Sequence, residues 1–234
     1  MRLRRLLLTL GLVAVGVLLL VVGLFSYLVL PGLIESRLAT NLQESYGLKK
    51  EPMVEVSSNF PPELLLGRID RIEVRIDQLM REGILLRDLR INLEDVDVSV
   101  PSLLRGDLER EIRSGSLRAE VPEESINDYL RENDLGLEYG EINVLPQEVV
   151  YQISEDHFGL PASISLDLRV SGPRTIEVIP QEARVGGYEL PSFFTRSLAS
   201  GGRTLTVSEL PLEAELVSVE PSEEDALVIR AEKK

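Results

Sequence analysis

Twenty-five consecutive residues, Leu6 to Leu30, carry no charge, and Arg2, Arg4 and Arg5 stand immediately before them. At ~1.5 Å rise per residue such a run makes a helix of roughly 37 Å, enough to cross a ~30 Å hydrocarbon layer with some tilt. The run ties the chain to a membrane, and the helix of an ordinary soluble core rarely looks like it. Because the cationic flank lies on the N-terminal side, the expected orientation puts residues 1–5, a short basic tail, in the cytoplasm and the bulk of the chain outside it.

A cleaved secretory signal has the same charged start, but its apolar stretch is only about 7 to 15 residues and it ends in a small-x-small site. Here the run is longer, and Pro31-Gly32-Leu33-Ile34-Glu35-Ser36 offers no such pattern. The reading is therefore an uncleaved, single-pass signal anchor over residues 6–30, followed by an extracytoplasmic part over residues 31–234. A location outside the cytoplasm follows from either alternative.

The 204 residues beyond the run, 234 less 30, suit one large domain or two small ones, and one is expected. All 39 acidic residues lie there against 22 basic ones, the 25 of the chain less the three in the tail, for a formal charge of −17. Such a surface repels a polyphosphate, whose binding requires Lys and Arg to displace counterions, so nucleic acid is not an expected partner. The plain reading of the charge is a solvated surface. There is no cysteine and one histidine, His157. Disulfides, thiol chemistry and multi-histidine metal sites are thereby excluded, and stability has to come from apolar burial. No metal and no cofactor are expected.

Pro31 suits the first turn of a helix, Ile34, Leu38 and Leu42 repeat at helical spacing, and Gly47 can end it. This short amphipathic helix is expected to pack on the domain, since Arg37 is its only basic residue and adhesion to lipid head groups is not indicated. From Met53 onward the period becomes two. Ile72, Val74 and Ile76 alternate with charged residues, and so do Leu89, Ile91 and Leu93 with Arg90 and Asn92. The apolar phase then slips at Glu94-Asp95 and resumes at Val96 and Val98, as in a β-bulge, and a similar slip falls between Ile69 and Ile72. Further alternating sets are Val149, Tyr151 and Ile153; Ile164, Leu166, Leu168 and Val170; Ile176 and Val178; and Leu227, Ile229 and Ala231. Turns are expected at Gly106, Gly140, Gly159, Gly172-Pro173, Gly186-Gly187, Gly201-Gly202 and Pro221. Two short helices are expected as well, one opened by Pro122-Glu123-Glu124 and striped by Ile126, Tyr129 and Leu130, the other running from Pro191 through Phe194 and Leu198.

A search for catalytic signatures finds no nucleophile elbow, P-loop, dinucleotide fingerprint or zinc-protease helix. His157 sits in a polar loop sequence, the many carboxylates form no distinctive pair, and the chain has no tryptophan for sugar stacking. The expectation is a protein that is not an enzyme. Two readings of the alternating strands stay open from the residues alone: a β-sandwich whose inner faces fill each other, or a curved sheet around an apolar groove.

The order of elements carries a resemblance. An apolar segment leads into an amphipathic helix, then the Gly67-Arg68-Ile69-Asp70-Arg71-Ile72-Glu73-Val74 strand, then Glu82-Gly83-Ile84-Leu85-Leu86-Arg87-Asp88-Leu89-Arg90-Ile91. Asp95-Val96-Asp97-Val98 follows, and Ser116-Leu117-Arg118-Ala119-Glu120-Val121 enters the helix Ser125-Ile126-Asn127-Asp128-Tyr129-Leu130. Over residues 33 to 232 this resembles the LmeA-like family of bacterial envelope proteins. The resemblance implies phospholipid binding and a fold similar to the tubular lipid-binding proteins: strand-dominated α+β, with a long curved antiparallel sheet and an amphipathic helix around an apolar groove. The expected groove lining is Ile72, Val74, Ile76, Leu89, Ile91, Leu93, Ile164, Leu166 and Leu168, and the head-group candidates are Arg68, Arg71 and Arg87. The expected partners are a membrane and a phospholipid or lipid-linked envelope precursor, which the protein would sequester, present or transfer without turnover. The alternative is a structural or adaptor domain with a filled β core that docks other envelope proteins.

Overall fold

The computed structural model describes residues 15–18, 20–98, 110–133, 139–155, 159–191, 193, 203–207 and 213–233. It has the strand-dominated α+β class expected from the sequence, with large antiparallel sheets. The chain divides into two compact units, Met1–Val74 with Asn92–Arg113 and Arg75–Ile91 with Ser114–Lys234.

In the first unit an apolar helix α1, residues 15–28, runs on into α2, Leu30–Tyr46. Backbone bonds from Val29 N–H to Phe25 O (3.0 Å) and from Leu33 N–H to Val29 O (3.2 Å) carry the helix through the junction. Pro31, which has no N–H to give, sits in the first turn of α2, and α2 ends at Gly47 as expected. Ile34, Leu38 and Ala39 form its buried face, which packs on strand β1, Met53–Ser57. The expectation that this helix packs on the domain is met.

Strands β2, Arg68–Arg81, and β3, Ile84–Val98, pass through both units, and in the first unit the sheet order is β1-β2-β3. The expected slip in β3 is real: Leu93 and Val96 are both buried, and Asp95 between them takes φ 51°. An aspartate tolerates that left-handed conformation, and the extra residue keeps the apolar side chains on one face. Ile69 and Ile72 are likewise both buried across the slip in β2. β2 turns into β3 through Glu82 and Gly83, both at positive φ, the two-residue turn whose twist matches a hairpin.

The second unit holds the order β2-β3-β4-β12-β11 in one sheet and β10-β8-β7-β6-β5 in the other, with β9 on β8. Here β4 is Arg110–Pro122, β5 Gly140–Leu145, β6 Glu148–Ile153, β7 Ala162–Gly172, β8 Thr175–Val185, β9 Tyr188–Glu189, β10 Arg203–Thr206, β11 Glu215–Pro221 and β12 Ala226–Lys233. The helix α3, Glu123–Glu132, lies where the sequence places it, with Glu123 and Glu124 in its first turn. The two sheets meet where β11 lies against β7, and Leu216 N–H donates to Pro173 O at 2.8 Å.

Two expectations change, at Gly140 and in β12, and β8 is longer than its apolar pair shows. Gly140 begins a strand instead of making a turn: a Cβ there would fall on the Gln152 carbonyl oxygen and the Tyr151 ring, so close approach, not chain reversal, demands glycine. The strand through Ile176 and Val178 runs on past Pro180 to Val185, and the pairing shifts between Ile164 and Leu166 opposite it, a bulge that tolerates a residue with no N–H. In β12 the buried residues are Ala226, Val228 and Ala231, whereas Leu227 and Ile229 are half-buried, so this strand is covered on both faces. The helix expected around Phe194 and Leu198, the turns at Gly106 and Gly201-Gly202, and His157 lie outside the described residues.

The edge strand β5 is closed by side chains of α3. Asn127 donates Nδ2–H to Ile142 O at 2.8 Å and accepts Ile142 N–H at Oδ1 at 2.7 Å, and Glu123 accepts Val144 N–H at 2.7 Å. We predict that Asn127→Ala, which strands two buried backbone groups, lowers unfolding free energy by about 2–4 kcal/mol and speeds hydrogen exchange at the Ile142 amide. Asp128→Ala on the exposed side of α3 should stay within about 0.5 kcal/mol of the parent in the same denaturant titration. Gly140→Ala should cost about 1–3 kcal/mol by overpacking against Tyr151, measured by thermal unfolding monitored at the tyrosines.

Candidate functional site: an aliphatic sheet face

Pairing across the second sheet of the second unit aligns its aliphatic side chains in rows. Ile142, Tyr151, Ile164 and Ala183 lie opposite one another on four successive strands, and Val144, Val149, Leu166 and Pro180 form the next row. Side chains that are cross-strand neighbours share a face, so the rows make one continuous apolar surface. Burial is uneven across it. Ile142, Val144, Val149 and Tyr151 are fully buried together with Leu130 of α3, whereas Ile164, Leu166 and Leu168 on β7 pack against that cluster but stay half-exposed. Ile126, Ile153 and Leu227 border the same cluster, also half-buried. Helix α3 lies on β5, so the cover is complete at that edge and thins toward β7.

The nine residues expected to line a groove are distributed over both units. Ile72, Val74 and Leu93 belong to the first unit and are buried. Ile76 and Leu89 belong to the second and are also buried; Ile91, Ile164, Leu166 and Leu168, in the same unit, are half-buried. Only the β7 trio shares one contiguous apolar surface with the cluster under α3.

The head-group candidates are not brought together either. Arg68 and Arg71 on β2 belong to the first unit, where Arg68 Nε lies 3.9 Å from Asp97 and Arg71 Nη2 3.6 Å from Glu94, all well exposed. Exposed pairs this long contribute little. Arg68 also borders a recess of about 270 Å³ that it shares with Arg113, Glu63, Asp70, Asp95 and Asp97, where carboxylates outnumber guanidinium groups. Arg87 on β3 is exposed in the second unit and has no ion pair among the described residues. A larger recess, about 410 Å³, is lined by Arg131, Tyr139, Gly140, Glu141, Asn143, Gln152 and Ser154. Glu141, Asn143 and Gln152 alternate with the buried Ile142, Val144 and Tyr151, so this polar recess is on the opposite face of β5 and β6 from the aliphatic rows. Arg131 there is engaged by Asp128 (3.2 Å) and Glu141 (2.6 Å).

Next to Arg87, Asp88 sits in a cluster of charges. It takes φ 45° and accepts hydrogen bonds from Arg90 Nε–H at 3.0 Å and Arg118 Nη1–H at 2.9 Å, while Arg118 also donates to Glu120 at 2.6 Å. The Arg90 hydrogen bond, with the charges of Arg90 and Arg118, holds the Asp88 carboxyl below its ordinary value of 3.8 despite an opposing desolvation. Arg90 is raised in turn, chiefly by its bond to Asp88. Among the described residues no cluster of His, Cys, Asp and Glu could hold a metal ion.

The fold and this surface define a class: a strand-dominated α+β protein with an apolar sheet face incompletely covered by its own helix, and one helix, Val15–Tyr46, long and apolar enough to cross a membrane. The chain belongs to the LmeA-like phospholipid-binding family, whose model matches residues 26–232. No curated protein and no solved structure matches it. Sequence reasoning found the β7 aliphatics by their alternation but missed β5, Asn127 and Glu123, whose polar character gives no sign that they secure an apolar floor.

A carboxylate with a depressed pKa adds stability that is present above its unfolded value and lost as pH falls through the folded one. We therefore predict that the stability difference between the parent and Asp88→Asn is constant at neutral pH and shrinks only below about pH 4. Paired urea titrations from pH 3 to 7 check this, and a difference that persists unchanged at pH 3 would contradict it.

Proposed function

We propose that the protein is an extracytoplasmic phospholipid-binding protein, anchored by its N-terminal helix, that holds a phospholipid or the lipid part of an envelope precursor and sequesters, presents or transfers it without chemical turnover. Membership of a phospholipid-binding family supports lipid as the ligand. The observation that carries the choice of site is the half-exposed row Ile164, Leu166 and Leu168 beside a fully buried floor. An acyl chain laid on these side chains gains about 0.8 kcal/mol per buried CH₂, so eight to ten methylenes supply roughly 6–8 kcal/mol with little polar help. Ile91, and Ile72, Val74, Ile76, Leu89 and Leu93 in the closed interior, would be reached only as the fold opens around a chain. Arg87 is the strongest head-group candidate of the three, since Arg68 and Arg71 already face carboxylates. The location in the cell envelope rests on the arginine flank before the apolar run.

The second reading, an adaptor domain with a filled core, draws on the complete burial of Ile72, Val74, Ile76, Leu89 and Leu93. The two readings differ in where lipid touches the chain. The full chain reconstituted in liposomes containing a phospholipid with a photoreactive acyl chain should be labelled on peptides covering residues 162–172 as well as in the apolar helix. Leu166→Trp should fold with a cost below about 1.5 kcal/mol, because a half-exposed position has room for the ring, yet lose most of the β7 label. Labelling confined to the helix, unchanged by Leu166→Trp, favours the adaptor.

A further inference from the structure

We propose that the tip of the β1–β2 hairpin, Phe60 with Leu65 and Leu66, is a second membrane contact that enters the interface of the bilayer its own helix spans. The proposal rests on reading that helix as an anchor, and it concerns the first unit alone. There α2 leads away from α1, and β1 returns alongside it until Val56 N–H meets the Glu35 carboxylate at 2.9 Å. Glu35 lies six residues past Val29, about 9 Å along a helix axis. Phe60 lies four residues past Val56, and four extended residues reach at most about 13 Å. The hairpin tip therefore comes within reach of the level at which the uncharged run ends.

Its composition is unlike that of a tip facing water. Phe60-Pro61-Pro62-Glu63-Leu64-Leu65-Leu66 holds a single charge, Glu63, and forms a 3-10 turn over Pro61–Leu66. Bonds from Glu63 N–H to Phe60 O (2.8 Å) and from Gly67 N–H to Leu64 O (3.1 Å) close it. Leu64, 2 % exposed, pegs the turn into the core, which forces its neighbours outward: Phe60 is 59 % exposed, Leu65 38 % and Leu66 74 %. Three large apolar side chains presented together on a firmly pegged turn mark a surface that is covered in use. The occupant is lipid, because the apolar helix fixes a bilayer at this end of the unit and the tip offers apolar area without the cations that an acidic protein partner would need.

The chain has no cysteine, so single cysteines carry an environment-sensitive fluorophore without background. The full chain is reconstituted in phosphatidylcholine liposomes with spin-labelled lipids, and three variants are compared: Leu20→Cys in the helix, Leu66→Cys at the tip and Tyr46→Cys, 42 % exposed, at the far end of α2, about 25 Å along the helix axis from Val29. The expected result is loss of Leu20→Cys fluorescence with deep spin labels, loss of Leu66→Cys fluorescence with shallow ones together with a blue shift, and neither change for Tyr46→Cys. A quenched Leu20→Cys with an unquenched Leu66→Cys overturns the hairpin contact and leaves the anchor standing. A Leu66→Cys label that is blue-shifted but unquenched also overturns it, since the tip is then covered by protein. An unquenched Leu20→Cys overturns the anchor reading, and this proposal with it.

Discussion

The apolar floor of the second unit depends on a polar clamp. Asn127 exchanges two hydrogen bonds with the backbone of Ile142, and Glu123, one turn earlier on the same face of α3, takes the Val144 N–H. β5 is the last strand of its sheet, and an edge strand under a helix must have its backbone groups answered or lose about 1–3 kcal/mol for each one buried unpaired. By answering them with side chains, α3 can lie against the edge and bring Leu130 onto Ile142 and Val144. The same helix is fixed at its start by Glu123 N–H to Asp225 O at 2.9 Å and by the Ser125 hydroxyl, which takes the Leu85 N–H at 2.6 Å. Each of these bonds ties α3 to a different strand connection of the unit, so its position over β5 is determined on several sides. A helix held at one edge leaves β7 beyond its reach, and the half-exposure of Ile164, Leu166 and Leu168 follows from that placement.

Much of the fold was legible because it is written in apolar period. The run from Leu6 to Leu30, the helix of Ile34 and Leu38, and the alternation of Ile72, Val74 and Ile76 each follow from the geometry of one element taken alone. The slip at Glu94-Asp95 was legible for the same reason: two alternating sets out of phase by one residue admit few explanations besides a bulge. What escaped depends on neighbours. Gly140 has the look of a turn residue, and only the Tyr151 ring and Gln152 carbonyl across the strand pair reveal the need for glycine. The length of β8 past Pro180 likewise depends on its partner, since the register shift opposite it on β7 supplies a place for a residue with no N–H. Ser125 and Asn127 lie outside the apolar stripe of Ile126, Tyr129 and Leu130, yet both are buried, since hydrogen-bond partners from β3 and β5 reverse the cost of burying them. The candidate site was legible in part. Alternation identified the β7 aliphatics, but no sequence pattern separated them from Ile72 or Leu89, which are closed off.

Electrostatics sets limits on how such a protein can hold a lipid. Many arginines already face a carboxylate within 4 Å, as Arg118 does Asp88 and Glu120, and the chain carries 39 acidic residues against 25 basic ones. A phosphate approaching Arg68 or Arg71 would have to displace Asp97 or Glu94, exchanging one anion for another with little net gain. An anionic head group is also repelled at long range by the acidic surface, although physiological salt reduces this beyond about 8 Å. Polar contacts on this chain are therefore suited to orienting a ligand and poorly suited to supplying its affinity.

Affinity for a lipid must then come from apolar area, and apolar area is useful only where water can be displaced from it. Leu89 at 1 % exposure has nothing left to gain, whereas Leu166, half-covered by its own fold, still holds surface that an acyl chain can take from water. Covering β7 fully with protein would add stability and remove that gain; leaving the whole face bare would make it an aggregation surface. A floor sealed by α3 at β5 and β6, with a half-open margin at β7, lies between these limits. The clamp at Asn127 thus does more than close an edge: by fixing where the helix stops, it fixes how much of the sheet face its own fold leaves uncovered.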